Sequence, residues 1–269
     1  MSENAELLSV EGLTIDFPTA RVVEAVSFSI ERGNTLGVVG ESGSGKSMTA
    51  LSIMGLLSAK ASVTGSIRLQ GQELIGASER SLQRLRGNRV AMIFQDPLSS
   101  LNPYLTVGFQ IAEAYLAHRR VSRRVARMGS IEAMERVRIP DAARRHDDFP
   151  HQFSGGMRQR IMIAMALVCE PELIIADEPT TALDVTVQAE ILSLIAELQQ
   201  SSDASMLFIT HDLAVVSEIA DHVAVMRSGH LVEYAPVERL FSSPENEYTR
   251  RLLDATPRLV DPVTRGGLR

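Results

Sequence analysis

The eight residues from Gly40 to Ser47 have the composition and spacing of a loop that binds phosphate groups. Their sequence, Gly-Glu-Ser-Gly-Ser-Gly-Lys-Ser, fits the pattern G-x-x-x-x-G-K-[S/T]. The glycines let backbone N–H groups turn inward around phosphates, and a helix beginning at the loop adds a favourable dipole. We expect Lys46 to reach the β- and γ-phosphates and the Ser47 hydroxyl to ligate Mg²⁺. The residues predicted to bind the nucleotide in this loop are Gly40, Glu41, Ser42, Gly43, Ser44, Gly45, Lys46, Ser47 and Met48.

A second candidate site lies where an apolar run ends in two carboxylates. Leu173-Ile-Ile-Ala is followed by Asp177 and Glu178. A buried strand that ends in an aspartate matches the Walker B arrangement, in which Asp177 would hold Mg²⁺ directly or through water. Glu178 would point differently and is the candidate general base that polarises the attacking water. The alternative is a turn or helix-cap carboxylate before Pro179.

A third candidate is the run Ser154-Gly155-Gly156, which precedes a predicted helix over Met157 to Cys169. A serine and two glycines at a helix N-terminus can form a second anion-binding site. The alternative is an ordinary helix N-cap with serine at the cap position.

The elements that must position these residues alternate between strands and helices, which predicts an α/β fold with a parallel sheet. Two long N-terminal strands with looser alternation predict an antiparallel sheet. The strand before Gly40 and the helix after it argue against a plain glycine-rich turn. The predicted strands are Leu8–Phe17, Val22–Ile30, Thr35–Val39, Gly65–Leu69, Val90–Phe94, Leu173–Ala176, Met206–Thr210 and Val223–Met226. The predicted helices are Lys46–Leu57, Met157–Cys169 and Val185–Gln200, and about 104–149 are rich in Ala, Arg and Glu at helical spacing.

Composition narrows the classes of function. The formal net charge of −6 argues against binding to duplex nucleic acid, so no nucleic-acid partner is expected. Cys169 is the one cysteine, which excludes an internal disulfide and favours a reducing compartment. We expect no signal peptide at the acidic N-terminus and no membrane-spanning helix. Any work at a membrane is therefore expected from its cytoplasmic side, through a partner.

Together these motifs resemble those of ABC ATPases. Phe153-Ser-Gly-Gly-Met-Arg-Gln-Arg160 is similar to the family's signature L-S-G-G-Q, with Phe153 in place of Leu and Met157 in place of Gln. The resemblance runs from about Leu8 to Pro257. It implies a single ABC ATPase domain over 1–269 with a RecA-like parallel-sheet core and an N-terminal antiparallel β subdomain. It also implies an inserted helical subdomain at about 97–165 and a C-terminal extension at about 245–269.

The same resemblance assigns roles to further residues. In the family, the signature of one subunit closes over the γ-phosphate bound by its neighbour, which would make Ser154, Gly155 and Gly156 nucleotide ligands. Gln95 resembles the Q-loop glutamine, which would touch Mg²⁺ or the attacking water. His211 resembles the switch histidine, which contacts the γ-phosphate, and Asp184 matches the D-loop that communicates across the dimer. Phe17 stands where the family has an aromatic residue that stacks on adenine; a core phenylalanine is the alternative.

Within the family, the chain resembles the ATPases of oligopeptide, dipeptide and nickel importers. The more specific runs are Phe94-Gln-Asp-Pro-Leu-Ser-Ser-Leu-Asn-Pro103, the Met variant of the signature and Tyr248-Thr-Arg-Arg-Leu-Leu-Asp-Ala-Thr-Pro257. That group often carries His-Pro before the Tyr-Thr and then a cysteine cluster. Here Asn246 and Glu247 precede Tyr248 and no cysteine follows Cys169, so we expect no iron–sulfur cluster.

The resemblance therefore predicts an ATP-hydrolysing, Mg²⁺-dependent subunit of a peptide-type importer on the cytoplasmic face of the inner membrane. Its expected partners are two transmembrane permease subunits and a second ABC ATPase, either a related chain, which the resemblance favours, or a second copy. An external solute-binding protein is a further candidate partner. The alternatives are an exporter ATPase, which shares the catalytic motifs, and a soluble ABC protein acting on ribosomes or DNA. The single cassette and the absence of heptads between Lys46 and Ser154 argue against the soluble class.

Overall fold

A computed structural model describes residues 6–181 and 183–255, so the predicted end of the C-terminal extension lies outside the described residues. The strands are β1 (Glu6–Phe17), β2 (Ala20–Glu31), β3 (Thr35–Val39), β4 (Ser62–Leu69), β5 (Gln72–Glu73), β6 (Val90–Ile93), β7 (Leu173–Asp177), β8 (Ser205–Thr210), β9 (His222–Arg227) and β10 (His230–Pro236). The helices are α1 (Lys46–Ile53), α2 (Glu79–Leu85), α3 (Pro97–Ser100), α4 (Val107–Leu116), α5 (Arg123–Arg136), α6 (Ala142–Arg145), α7 (Gly155–Leu167), α8 (Val185–Ser202), α9 (Leu213–Ile219), α10 (Val237–Ser242) and α11 (Glu247–Ala255), with a 3₁₀ turn at Pro150–Gln152.

The N-terminal strands form the predicted antiparallel sheet, in the order β2-β1-β4-β5. A tight hairpin pairs Phe17 with Ala20, and the two long strands twist through several register shifts. Apolar side chains such as Leu8, Val10 and Ile15 are buried in a core that also contains Val38 of β3 and Ile53 of α1. The antiparallel sheet is thereby fixed against the start of the second sheet.

The second sheet has the order β10-β9-β3-β8-β7-β6. β6, β7, β8, β3 and β9 run parallel, and β10 adds an antiparallel edge. β3, β6 and β8 are buried along their whole length, which explains why apolar residues predominate in them. Since parallel strands point the same way, the loops that follow β3, β6, β7 and β8 leave the sheet at one edge. That edge is where ligands bind in open α/β sheets.

A helical region connects β6 to β7. α4, α5 and α7 pack around a shared apolar core that contains Val107, Ile111, Met134 and Ile161. Serine and threonine cap these helices, because the hydroxyls of Thr106, Ser122 and Ser154 each accept a hydrogen bond from an N–H in the first turn. The described residues between Phe94 and Glu172 contain no strand. Whether 97–165 is a separate subdomain stays a prediction.

All three predicted helices have different limits in the structure: α8 ends at Ser202 instead of Gln200, and α7 ends at Leu167 instead of Cys169. α1 ends at Ile53 instead of Leu57, because the chain turns at Gly55 with φ +60°. α7 begins at Gly155 instead of Met157, so the two signature glycines lie inside the helix and do not precede it. β5, α2, α9, β10, α10 and α11 were not predicted. Over the residues that the structure describes, no helix is both long and apolar enough to cross a membrane.

Candidate functional site

The loop from Gly40 to Gly45 joins β3 to α1 and can adopt its shape only with glycine at certain positions. Gly43 has φ +79° and Gly45 has φ +101°, a conformation that L side chains rarely adopt. A Cβ on Gly45 would also lie 2.9 Å from the carbonyl oxygen of Val22. As the N-cap of α1, Gly45 has no side chain that could occupy the first-turn N–H groups, which suits an anion at this helix end.

A buried hydroxyl in the same loop also fits phosphate. The Ser44 side chain is almost fully buried, and its Oγ has no hydrogen-bond partner among the described residues. A buried polar group without a partner is costly, and a phosphate oxygen would accept its hydrogen bond. The loop therefore has the donors and the shape that a nucleotide phosphate requires.

The Lys46 side chain folds back over the loop. Its Nζ donates hydrogen bonds to the carbonyl oxygens of Gly40, at 2.7 Å, and Glu41, at 2.9 Å. Only 4% of the residue is exposed. Burial lowers the pKa of Lys46, while the negative charges of Glu178 and Asp177 act in the opposite direction. The ammonium group is therefore within electrostatic range of both carboxylates of the second motif.

Two oxygen ligands for a divalent cation lie next to each other. The Ser47 hydroxyl donates to Asp177 Oδ1 at 2.9 Å, which joins the start of α1 to the end of β7. Burial raises the pKa of Asp177, the Glu178 charge adds to this rise, and the Ser47 hydrogen bond opposes it. Hydroxyl and carboxylate oxygens are the ligands that Mg²⁺ prefers, so the pair fits that ion.

Three further side chains surround the carboxylate of Glu178. Its backbone has φ +47°, an uncommon conformation for a residue with a side chain, and its N–H donates to the carbonyl of Ile209 at 2.9 Å. Glu178 Oε2 accepts from Gln95 Nε2 at 3.5 Å and lies 3.6 Å from His211 Nδ1. It also accepts from the Thr181 hydroxyl at 2.8 Å. The structure thus brings together three residues that the sequence placed at three strand ends.

Thr181 was missed in the sequence, although it stands only three residues after Glu178. The turn at Glu178 brings the chain back on itself, so that the Thr181 hydroxyl faces the carboxylate. Gln95 was expected at Mg²⁺ or the attacking water, and the hydrogen bond that it makes here goes to Glu178.

The signature run and Asp184 both lie next to Val187 of α8. Ser154 caps α7 by accepting from the N–H of Met157 at 3.4 Å, and Asp184 caps α8 by accepting from the N–H of Val187 at 3.0 Å. A Cβ on Gly156 would lie 2.6 Å from Val187 Cγ1, whereas a Cβ on Gly155 would have no heavy atom within 4 Å. Gly156 therefore allows α7 and α8 to pack closely, and Gly155 faces open space.

Phe17 lies at the tip of the β1–β2 hairpin. Its side chain is half-buried and packs against the core beneath the antiparallel sheet. The beginning of β2 contacts the phosphate loop, because Val22 and Val23 lie against Gly45. This position suits a core residue and a base-stacking residue equally, so the stacking role stays a prediction.

A P-loop, a Walker B strand and a second serine-glycine helix cap on one α/β fold define an ATPase of the ABC class. The ABC transporter family matches residues 23–181, which include the phosphate loop, the signature and the Asp177-Glu178 pair. The chain belongs to this family and is an ATPase.

Two proteins with similar sequences are transport ATP-binding proteins. The chain is 49% identical to the dipeptide transport ATP-binding protein DppD of Bacillus subtilis, over 94% of this chain and 78% of that protein. It is 48% identical to the oligopeptide transport ATP-binding protein OppD of Escherichia coli, over 94% of this chain and 76% of that protein. Both relatives are therefore similar over nearly the whole of this chain.

Solved structures with the same fold are also ABC cassettes. The structure of cbiO1 from Clostridium perfringens, part of the ABC transporter complex cbiONQ, has a TM-score of 0.76 and 26% identity, over 89% of this chain and 92% of that one. The cassette MJ0796, solved as a dimer bound to ADP and Pi, has a TM-score of 0.76 and 23% identity, over 86% of this chain and 99% of that one. At 23% identity, the similarity to MJ0796 shows that the two chains share a fold.

Proposed function

We propose that the chain is the ATP-hydrolysing subunit of an importer for peptides or related small solutes. The observation that carries the ATP-hydrolysing part of this proposal is the group around Glu178, where a strained backbone presents one carboxylate to Gln95, Thr181 and His211 beside the Ser47–Asp177 pair. The sequence identity of 49% to a dipeptide transport protein and of 48% to an oligopeptide transport protein supports peptides as the solute class.

At this site, Ser47 and Asp177 would hold Mg²⁺, with Gln95 as a further candidate ligand. The ion would offset phosphate charge. Glu178 acts as the general base on water, and His211 orients that water and the terminal phosphate. Lys46 and the loop N–H groups bind the phosphates, and the half-buried Phe17 is the candidate for adenine.

The second half of the site comes from another ATPase subunit. Ser154, Gly155 and Gly156 of one subunit close on the nucleotide bound by the other, and Asp184 carries the change between them. The open surface of Gly155 and the 85% exposed Val185 beside Asp184 support a partner at this face. The dimeric form in which a cassette of this fold was solved is consistent with that arrangement.

The two signature glycines should respond differently to an added methyl group. We expect Gly155→Ala to keep the wild-type melting temperature, because the new Cβ meets open space, and to lose most ATPase activity, because it blocks the partner's nucleotide. Gly156→Ala should lower the free energy of unfolding by about 1–3 kcal/mol, because its Cβ overlaps Val187. Thermal unfolding and ATPase rates of both variants check this; a fully active Gly155→Ala subunit would contradict the composite site.

The remaining partners are two permease subunits and an external solute-binding protein, with the ATPase on the cytoplasmic face of the inner membrane. We propose that about 97–165 form the helical subdomain and that the surface from Asp96 to Tyr104 meets the permease. The 87% exposed Tyr104, which lies in this segment, supports an apolar contact there.

Recovery of the tagged chain from mildly solubilised native membranes, followed by mass spectrometry, tests this function. We expect two multi-span proteins, a second ABC ATPase and a solute-binding protein to follow the chain. Recovery of two multi-span proteins without any solute-binding protein would favour an exporter. Recovery with ribosomes or DNA factors alone would contradict a transporter.

A further inference from the structure

The C-terminal helix α11 is fixed at its beginning to the edge strand β10. The two oxygens of the Glu233 carboxylate accept from the backbone N–H groups of Glu245, at 2.8 Å, and Asn246, at 3.0 Å. Burial works to raise the pKa of Glu233, but the Thr249 hydroxyl, these two backbone N–H groups and the Arg239 charge together outweigh it and hold that pKa below its ordinary value. Asn246 Oδ1 then accepts from the N–H of Tyr248 at 2.8 Å. The position of Tyr248 is therefore set by the sheet.

Tyr248 extends from α11 to the phosphate loop. Only 7% of the residue is exposed, and it belongs to a buried apolar cluster that also contains Val39, Val216 and Leu240. The Arg227 guanidinium lies 4.8 Å from the ring centroid. At the far end of the ring, the hydroxyl accepts a hydrogen bond from the backbone N–H of Glu41 at 3.3 Å. Burial raises the pKa of Tyr248, so the hydroxyl stays protonated at neutral pH.

The same peptide segment also holds Lys46. While the N–H of Glu41 donates to Tyr248, the carbonyl of Glu41 accepts from Lys46 Nζ at 2.9 Å. Further along the loop, the carbonyl of Ser44 accepts from the N–H of Gly229 at 3.1 Å, in the β9–β10 turn. Two elements from the C-terminal part of the chain therefore brace the loop at two points.

We propose that Tyr248 is a positioning residue for ATP binding, which holds the Glu41 peptide and, through it, the loop and Lys46. A glycine-rich loop loses much conformational freedom when it binds a ligand, and a loop held beforehand loses less. The Tyr248 hydroxyl thus raises affinity for the nucleotide without touching it. This inference rests on the proposed role of the phosphate loop.

The coupling works in both directions. If α11 increases affinity for ATP, then bound ATP stabilises the docking of α11 by the same factor. We therefore expect nucleotide to slow hydrogen exchange of amides in Glu247–Ala255. A purely structural tyrosine would leave this exchange unchanged by nucleotide.

The variant Tyr248→Phe of the full chain tests the proposal, because it keeps the ring and removes the hydroxyl. We expect the Kd and KM for MgATP to rise about threefold to tenfold, the effect of one hydrogen bond, with kcat within about a factor of two. Protection of α11 by nucleotide should fall in parallel. Tyr234→Phe is the matched control, since its hydroxyl donates to the Ser29 carbonyl and has no contact with the loop. It should leave Kd and KM unchanged.

Glu233→Gln gives a second, independent test, because it weakens the anchor of α11 and leaves the Tyr248 hydroxyl in place. It should raise KM in the same direction. Unchanged affinity in Tyr248→Phe, while Lys46→Ala weakens binding by about a hundredfold or more, would overturn the role of Tyr248 and leave the phosphate loop as proposed. A reduced kcat with unchanged KM would overturn it as well. Nucleotide binding that survives Lys46→Ala would overturn both the site and the inference.

Discussion

Replacing Glu178 with glutamine should slow ATP hydrolysis by about a hundredfold or more and leave ATP binding nearly unchanged. An amide cannot accept a proton from water, but it has almost the same shape as the carboxylate. The backbone at this position is held by the hydrogen bond from the Glu178 N–H to Ile209, which the substitution does not touch. The phosphate loop and the Ser47–Asp177 pair also stay intact. The variant should therefore fill with MgATP and fail to turn it over.

Steady-state turnover at saturating MgATP and equilibrium titration of nucleotide, made on the same preparation, separate the two effects. Glu172→Gln is the matched control, because it makes the same glutamate-to-glutamine change at the opposite end of β7. Glu172 directly precedes the first residue of that strand. There the carboxylate accepts from Arg89 Nε at 2.7 Å, on the side of the sheet away from the site. The control should hydrolyse ATP at the wild-type rate. Near-normal turnover in Glu178→Gln would mean that another group takes the proton.

The gathering of candidate residues at one edge could be predicted from the sequence, for a simple physical reason. Gln95, Glu178 and His211 each follow an apolar strand, and parallel strands end at the same side of their sheet. The structure confirms the α/β fold and brings the Gln95 and His211 side chains to the Glu178 carboxylate. Their catalytic roles remain predictions.

Local patterns failed where a cap or a distant contact decides the conformation. Because glycine is a poor helix former, the helix was predicted to begin after Gly155 and Gly156. In the structure, the Ser154 cap and the close approach to Val187 favour helical glycines. The contact between Tyr248 and Glu41 joins residues 207 positions apart, which no local pattern can indicate. The phosphate loop could be predicted from its motif. The elements that form hydrogen bonds with the loop from the C-terminal part of the chain could not.

Replacing Lys46 with alanine should weaken nucleotide binding by about a hundredfold or more, because it removes charge-assisted hydrogen bonds to the phosphates. The electrostatic consequence is larger than the loss of one contact. Asp177 and Glu178 lie close enough to act on the pKa of the buried ammonium. Without that cation, two carboxylates face the phosphates at short range and repel them. Hydrolysis should fall because the site is empty, in contrast to Glu178→Gln, in which the site is full.

The sequence provides a strict control for this variant, because Lys60 is the one other lysine. It is exposed on the segment before β4, so Lys60→Ala should leave the Kd for MgATP unchanged. Lys46→Met keeps most of the side-chain volume and separates the lost charge from the cavity that alanine leaves. Equal loss of binding in Met and Ala variants would assign the effect to the ammonium. If Met binds MgATP like the wild type, the lysine acts through packing, and the charge argument for the whole site is wrong.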